Sequence, residues 1–111
     1  MKKMQTRSKC FALDVIKMCD DLPKKKSSDV ISYQIIKSAT SQAANYRAAC
    51  RARSGAEFLS KMFIVVEEAD ETSFWLEMRH DSDLIDESKF QKLFKESGGI
   101  IENIFKCKKK C

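Results

Sequence analysis

From Ser27 to Arg53 the chain runs without a single glycine or proline. That is about seven helical turns free of the two residues that most disrupt a helix. Along it the apolar side chains shrink, from Ile31, Tyr33 and Ile35 to Ala39, Ala43 and Ala49, with Ser38 and Ser41 between them. Small residues on an inner helix face let neighbouring helices approach closely, and polar groups set among them need partners inside the bundle. Gln42 and Asn45 lie in that zone. The feature specifies an architecture much more sharply than it specifies a reaction.

The rest of the composition agrees with a helical chain. At 111 residues the sequence is one domain over 1–111, long enough to bury about two-thirds of its unfolded surface. A charged fraction of 33% with three glycines and one proline points to an all-α protein rather than a sandwich or a disordered segment. No apolar run approaches the roughly 18 residues of a membrane span. The charged N-terminus leads into an amphipathic segment rather than a signal-peptide core, so the expected compartment is the cytoplasm. Five cysteines (10, 19, 50, 107 and 111) are an odd, widely spaced set, which reads as buried thiols in a reducing environment. Cys107 and Cys111 share a helix side, but no histidine lies near them, and no metal or cofactor is expected.

Four helices follow from the periodicity. The first is expected from about Ser8 to Asp21, with Phe11, Ala12, Val15, Ile16 and Cys19 as its stripe, ended by Pro23. Ser27 or Ser28 is placed to cap the second, which carries Ile31, Ile35, Ala39, Gln42, Ala43, Tyr46 and Ala49, with Arg47, Arg51 and Arg53 in its last turns. Ser54 with Glu57 matches a capping box for the third. Its stripe is Phe58, Leu59, Met62, Phe63, Val66, Ala69, Ser73 and Leu76, interrupted by Glu67, Glu68, Asp70, Glu71 and Glu77, of which one or two are expected to edge inward. His80 to Asp83 reads as a polar link, with Asp86 or Ser88 opening the fourth helix. That helix carries Phe90, Leu93, Phe94, Ser97, Ile101, Ile104 and Phe105. Gly98-Gly99 in its middle is a weak point worth up to about 2 kcal/mol, marking a kink or a close approach by a neighbouring chain. The tail from Lys106 is expected to fray. Short links between four helices favour an antiparallel up-down-up-down four-helix bundle.

Enzyme signatures are missing. The one histidine, His80, has no nucleophile placed for it, no glycine-rich phosphate loop appears, and a single histidine cannot supply the paired motifs of di-iron bundles. Glu67, Glu68 and Glu71 suit a structural network with Asn45, Arg47 or Arg51 better than a cation site. Gln42, Asn45, Glu67 and Glu71 are therefore assigned to a structural polar layer. No catalytic residue is expected.

Charge is uneven: twelve of the 21 basic residues lie within 1–53, and nine of the 16 acids between Glu67 and Glu87. Arg47 and Arg51 stand one turn apart, with Arg53 beyond, and Lys24, Lys25 and Lys26 form a basic link. Guanidinium forks grip phosphate bidentately, and each neutralised phosphate releases counterions, so such a patch can bind RNA or DNA with little sequence preference. The opposing reading is dipole complementation at the helix C-terminus plus salt bridges to the acids of the third helix. Phe74 and Trp75 point about 100° apart on a helix, so one can fill the core while the other forms an oligomer contact. Accommodation of both rings within one bundle is the alternative.

The spaced residues Gln34, Ser38, Ala39, Ser41 and Asn45, then Arg51, Arg53, Ser54, Ala56, Glu57 and Phe58, then Glu67-Glu68-Ala69-Asp70-Glu71 and Trp75-Leu76-Glu77 form one pattern. It resembles the bacterial four-helix-bundle proteins known as 23S rRNA intervening-sequence proteins, or S23 ribosomal proteins. The similarity spans roughly Phe11 to Ile104. Many members follow the asparagine with Ile-Ala-Glu-Gly; here Asn45 is followed by Tyr46-Arg47-Ala48-Ala49. The resemblance implies an antiparallel four-helix bundle assembling as a homopentamer. Accessory proteins of similar fold in diversity-generating retroelements bind nucleic acid and a reverse transcriptase through a basic pentamer surface. Only the second- and third-helix positions carry over, as structural residues, and no catalytic residue does. The implied partners are therefore copies of the chain itself, RNA or DNA, and a protein such as a reverse transcriptase. The alternative is a protein-interaction module whose basic and acidic halves pair between subunits.

Overall fold

A computed structural model describes residues 2–21, 25–82 and 87–110, with side chains for 3–21, 25–82 and 87–102. The side chains of Lys24, Asp83, Asp86, Ile104, Phe105, Cys107 and Cys111, which figure in the sequence reading, lie outside the described residues. The described residues form four helices: α1 (Lys2–Asp20), α2 (Lys26–Cys50), α3 (Gly55–Asp81) and α4 (Glu87–Lys110). No strand occurs among the described residues.

Cross-helix contacts establish the topology. Gln42 of α2 reaches Ser8 of α1, while Arg79 of α3 touches both Cys19 and Ser28, so α1 and α2 run in opposite directions. Ser38 faces Thr72 and Ser32 faces Arg79, which makes α2 and α3 antiparallel. Ser73 meets Ser97 and His80 meets Phe90 across the α3–α4 pair, and Arg7 meets Glu96 while Asp21 meets Lys89 across α1–α4. Each helix packs along its two neighbours, while the diagonal pair α1 and α3 meets through the Arg79 side chain on Cys19. The result is an up-down-up-down four-helix bundle, 44 × 22 × 19 Å.

The core holds Phe11, Val15, Ile35, Tyr46, Met62, Val65, Leu76, Leu93 and Ile100 at its centre. Between helices the contacts narrow to small side chains. Thr72 Oγ1 donates to Ser38 Oγ at 2.8 Å, and that hydroxyl donates in turn to the carbonyl of Ile35 at 3.2 Å. Ser73 and Ser97 share a 2.6 Å hydroxyl contact across α3 and α4. These hydroxyls are satisfied in pairs, which removes the penalty of burying them.

Several helix ends differ from the sequence expectation. α1 begins at Lys2, well before Ser8, because Met4 and Ser8 are buried and Arg7 is tied to α4. Neither Ser27 nor Ser28 caps α2: Lys25 is the N-cap residue, without a side-chain bond, and Ser28 is buried with its carbonyl facing Arg79. α2 stops at Cys50, so Arg51 and Arg53 lie beyond the helix rather than in its last turns. Ser54 does cap α3, accepting from the Glu57 N–H at 3.1 Å, but the return bond from the Glu57 carboxylate goes to the Arg53 N–H at 3.3 Å. His80 and Asp81 close α3 instead of forming a link.

α4 runs unbroken through Gly98-Gly99. The close approach anticipated there is made by Arg7 of the same chain, whose guanidinium lies over Gly99. The α3 stripe is also rotated from the expected one. Met62, Val65, Ala69, Thr72, Leu76 and Arg79 face inward, whereas Leu59 and Phe63 face out.

Candidate nucleic-acid interface

Arg47 sits in the last turn of α2, Arg51 is its C-cap residue, and Arg53 lies in the turn before α3. All three are exposed. They surround a shallow depression of about 470 Å³ floored by Ala44 and Ala48, whose small side chains leave the guanidinium groups room. Glu57 at its edge is the single carboxylate there.

Arg47 and Arg51 also line a second groove, of about 550 Å³, between α1 and α2. Lys9 joins them from α1, and Leu13, Ile16, Ala43 and Ala44 supply an apolar surface. No acidic side chain lines this groove. Lys9 was not singled out in the sequence, because only the packing of α1 on α2 brings position 9 near position 47.

Among the described residues the Arg47, Arg51 and Arg53 side chains make no ion pair. The salt bridges to α3 acids that the opposing reading invoked are not formed within this chain. The negative end of the α2 dipole still offsets part of the charge. What remains is a set of unpaired guanidinium groups on a surface with one carboxylate.

Lys25 and Lys26 do not join this set. They stand exposed at the other end of α2, about 32 Å from Arg47 at 1.5 Å per residue. Lys24 lies outside the described residues. The five described cations of the group read from the sequence therefore belong to two ends of the bundle.

The structural polar layer is also rearranged. Gln42 is fully buried and donates to the Ser8 carbonyl at 3.4 Å. Asn45 is only half-buried and bonds locally, to the Ser41 carbonyl at 2.9 Å and its hydroxyl at 3.2 Å. Glu67 and Glu71 are exposed on α3, so neither enters a buried layer in this chain. Gln42 shares the interior with Ser8, Ser28, Ser38, Thr72, Ser97 and Arg79, and half-buried Ser73 meets Ser97 at its margin. Trp75 packs partly against the core and donates to Glu71 at 3.4 Å, while Phe74 stands half-exposed, its ring edge-on to Trp75 at 5.1 Å.

No group of three or more metal-ligating side chains converges among the described residues. Nor is any helix among them long and apolar enough to cross a membrane.

The model of the 23S rRNA-intervening sequence protein family matches residues 2–106. This chain belongs to that family. A solved structure similar to this intervening-sequence protein is a protein of unknown function from the S23 ribosomal protein family of Bacteroides thetaiotaomicron VPI-5482. It is 30% identical, with a TM-score of 0.89 over 96% of this chain and 98% of the other. No curated protein matches the sequence. The likeness thus covers the whole bundle of this family member, including the turn that carries Arg51 and Arg53.

Proposed function

We propose that this protein is a non-enzymatic, nucleic-acid-binding accessory protein, favouring RNA over DNA, that acts as a homo-oligomer, most simply a homopentamer. The observation that supports binding is the exposed Arg47, Arg51 and Arg53 cluster, without an ion pair among the described residues and continuous with an acid-free groove that adds Lys9. Three guanidinium groups and an ammonium along an open depression and groove suit a string of phosphates and offer no means of reading bases. An assembly would repeat the cluster, so weak contacts at each copy would add along one strand. A protein such as a reverse transcriptase, itself holding nucleic acid, is a compatible partner for the same face.

The test is binding of a generic single-stranded RNA over a range of salt concentrations. Affinity should fall steeply with salt, and Arg47→Ala with Arg51→Ala should flatten the log–log slope by about 1.4 per site, 0.7 for each lost phosphate contact. The doubly substituted protein should keep its helical circular dichroism and its assembly state. If it instead dissociates while RNA affinity was never measurable, the arginines serve subunit pairing and the nucleic-acid reading fails.

A further inference from the structure

Among the exposed apolar side chains, which also include Leu13, Leu59 and Phe63, two patches are flanked by opposite charge. On α2, Val30 and Tyr33 are 54% and 63% exposed, beside exposed Lys37. On α3, Phe74 and Met78 are 50% and 39% exposed, flanked by exposed Asp70, Glu71 and Glu77. Between Lys26 and Arg51 the only acid of α2 is Asp29, and between Met62 and Met78 α3 has no basic residue. Exposed aromatic groups gathered on one helix face mark a contact surface more than a solvated one.

The two surfaces stand at one height in the bundle. Ser38 is level with Thr72 and Ser32 with Arg79, so Tyr33 is level with Met78 and Lys37 with Phe74, and Val30 lies about 4 Å further along. A neighbour turned about an axis parallel to the bundle would bring one surface onto the other without any axial shift. Such a head-to-tail contact closes into a ring instead of climbing into a filament. Pairing two α3 faces with each other would set acid against acid.

We infer that the outer face of α3 at Phe74 and Met78 docks on Val30, Tyr33 and Lys37 of α2 in a second copy of this chain. The inference rests on the self-association in the function proposed above and names the faces that carry it. Tyr33 lies about 21 Å along α2 from Arg47, at 1.5 Å per residue, so this contact leaves the arginine cluster open.

Two substitutions at exposed positions, Tyr33→Asp and Phe74→Asp, test the pairing by light scattering coupled to size exclusion. Each variant keeps one intact face. Alone, each should run as a 12.7 kDa monomer. Mixed in equal amounts, they should form a 1:1 pair of twice that mass, because the α3 face of the first fits the α2 face of the second. Lys37→Glu, at an exposed position, should weaken the wild-type assembly at least tenfold at low salt. Variants that still assemble alone, or a mixture that stays monomeric, would overturn the docking while leaving self-association intact. A monomeric wild type would overturn both. RNA binding by the monomeric variants keeps the arginine cluster a separate question.

Discussion

The guanidinium of Arg7 occupies the space where a side chain on Gly99 would begin, its Nη2 2.5 Å from the position of a Cβ. The same guanidinium holds Glu96 through two bonds, Nε at 2.8 Å and Nη2 at 2.7 Å. Arg7 is held above its ordinary pKa first by the hydrogen bond it donates to Glu96, and Glu96 is held below its own by Arg7. Gly98, one residue earlier, has nothing within 4 Å of its own missing Cβ. The two glycines should therefore answer differently to alanine. Gly98→Ala should stabilise by about 1 kcal/mol, the helix-propensity gain. Gly99→Ala should gain less, because Arg7 must move and this part-exposed pair, worth about 0.5–1 kcal/mol, is disturbed. Urea titration of both variants measures the difference, which Arg7→Ala should abolish.

His80 bridges the ends of α3 and α4. Its ring stacks on Phe90 with centroids 4.0 Å apart, and its nitrogens face Glu87 and Asp81. The hydrogen bond with Glu87 foremost, then Asp81, holds the imidazole above its ordinary 6.5. Gln91 first, then His80, holds Glu87 below its ordinary 4.5. The histidine contribution is complete below the unfolded value of 6.5 and is lost as pH rises through the raised native value. The Glu87 contribution is present above 4.5 and is lost as pH falls through the lowered native value. Stability from this corner should peak between those limits. The chain has a single histidine, so its imidazole proton resonance reports the native value directly. His80→Asn should erase the fall in stability expected as pH rises above 6.5 through the raised native value.

Arg79 is fully buried, and no carboxylate among the described residues reaches it. Its guanidinium donates to Ser32 Oγ at 2.7 Å, Cys19 Sγ at 3.3 Å and the Ser28 carbonyl at 3.4 Å, leaving Nε without a partner among the described residues. Desolvating a cation against neutral dipoles is costly, so an apolar side chain of similar length should serve as well. Arg79→Met should be neutral or stabilising, by about 1–4 kcal/mol at most. Arg79→Ala should cost about 3 kcal/mol through the space it opens. Thermal unfolding of the pair separates the two effects, and a large loss in the methionine variant would mean the charge itself is needed.

Thr72 and Ser38 are predicted to act as a unit. Thr72→Val removes one buried hydroxyl donor and should cost about 1 kcal/mol. Ser38→Ala should cost a similar amount, but the double substitution less than the sum, because either single change already breaks the 2.8 Å contact. Denaturant midpoints of the three variants give the coupling energy.

Much of the bundle was legible in the chain. The α2 stripe was read correctly from Ile31 to Ala49, since its small residues leave one phase that can face a core. The Ser54 cap was equally plain, because a hydroxyl three residues before an acid has a local purpose. α3 was harder: Leu59, Phe63 and Phe74 lie outside while Thr72 and Arg79 lie inside, so hydropathy pulled the inferred stripe round the helix. The early start of α1 depends on Arg7 reaching Glu96, 89 positions away, which no local pattern signals. The same holds for Lys9, which enters the arginine groove only through helix packing.

The paired hydroxyls between helices carry an evolutionary consequence. At 38, 72, 73 and 97 hydroxyls meet across the helix seams and a bulkier group would overpack them, so descendants of this chain can recolour their exterior freely while those four sites stay diminutive. Divergence should accumulate on the outward flanks, where a lineage can change whom it meets without changing what it is built from.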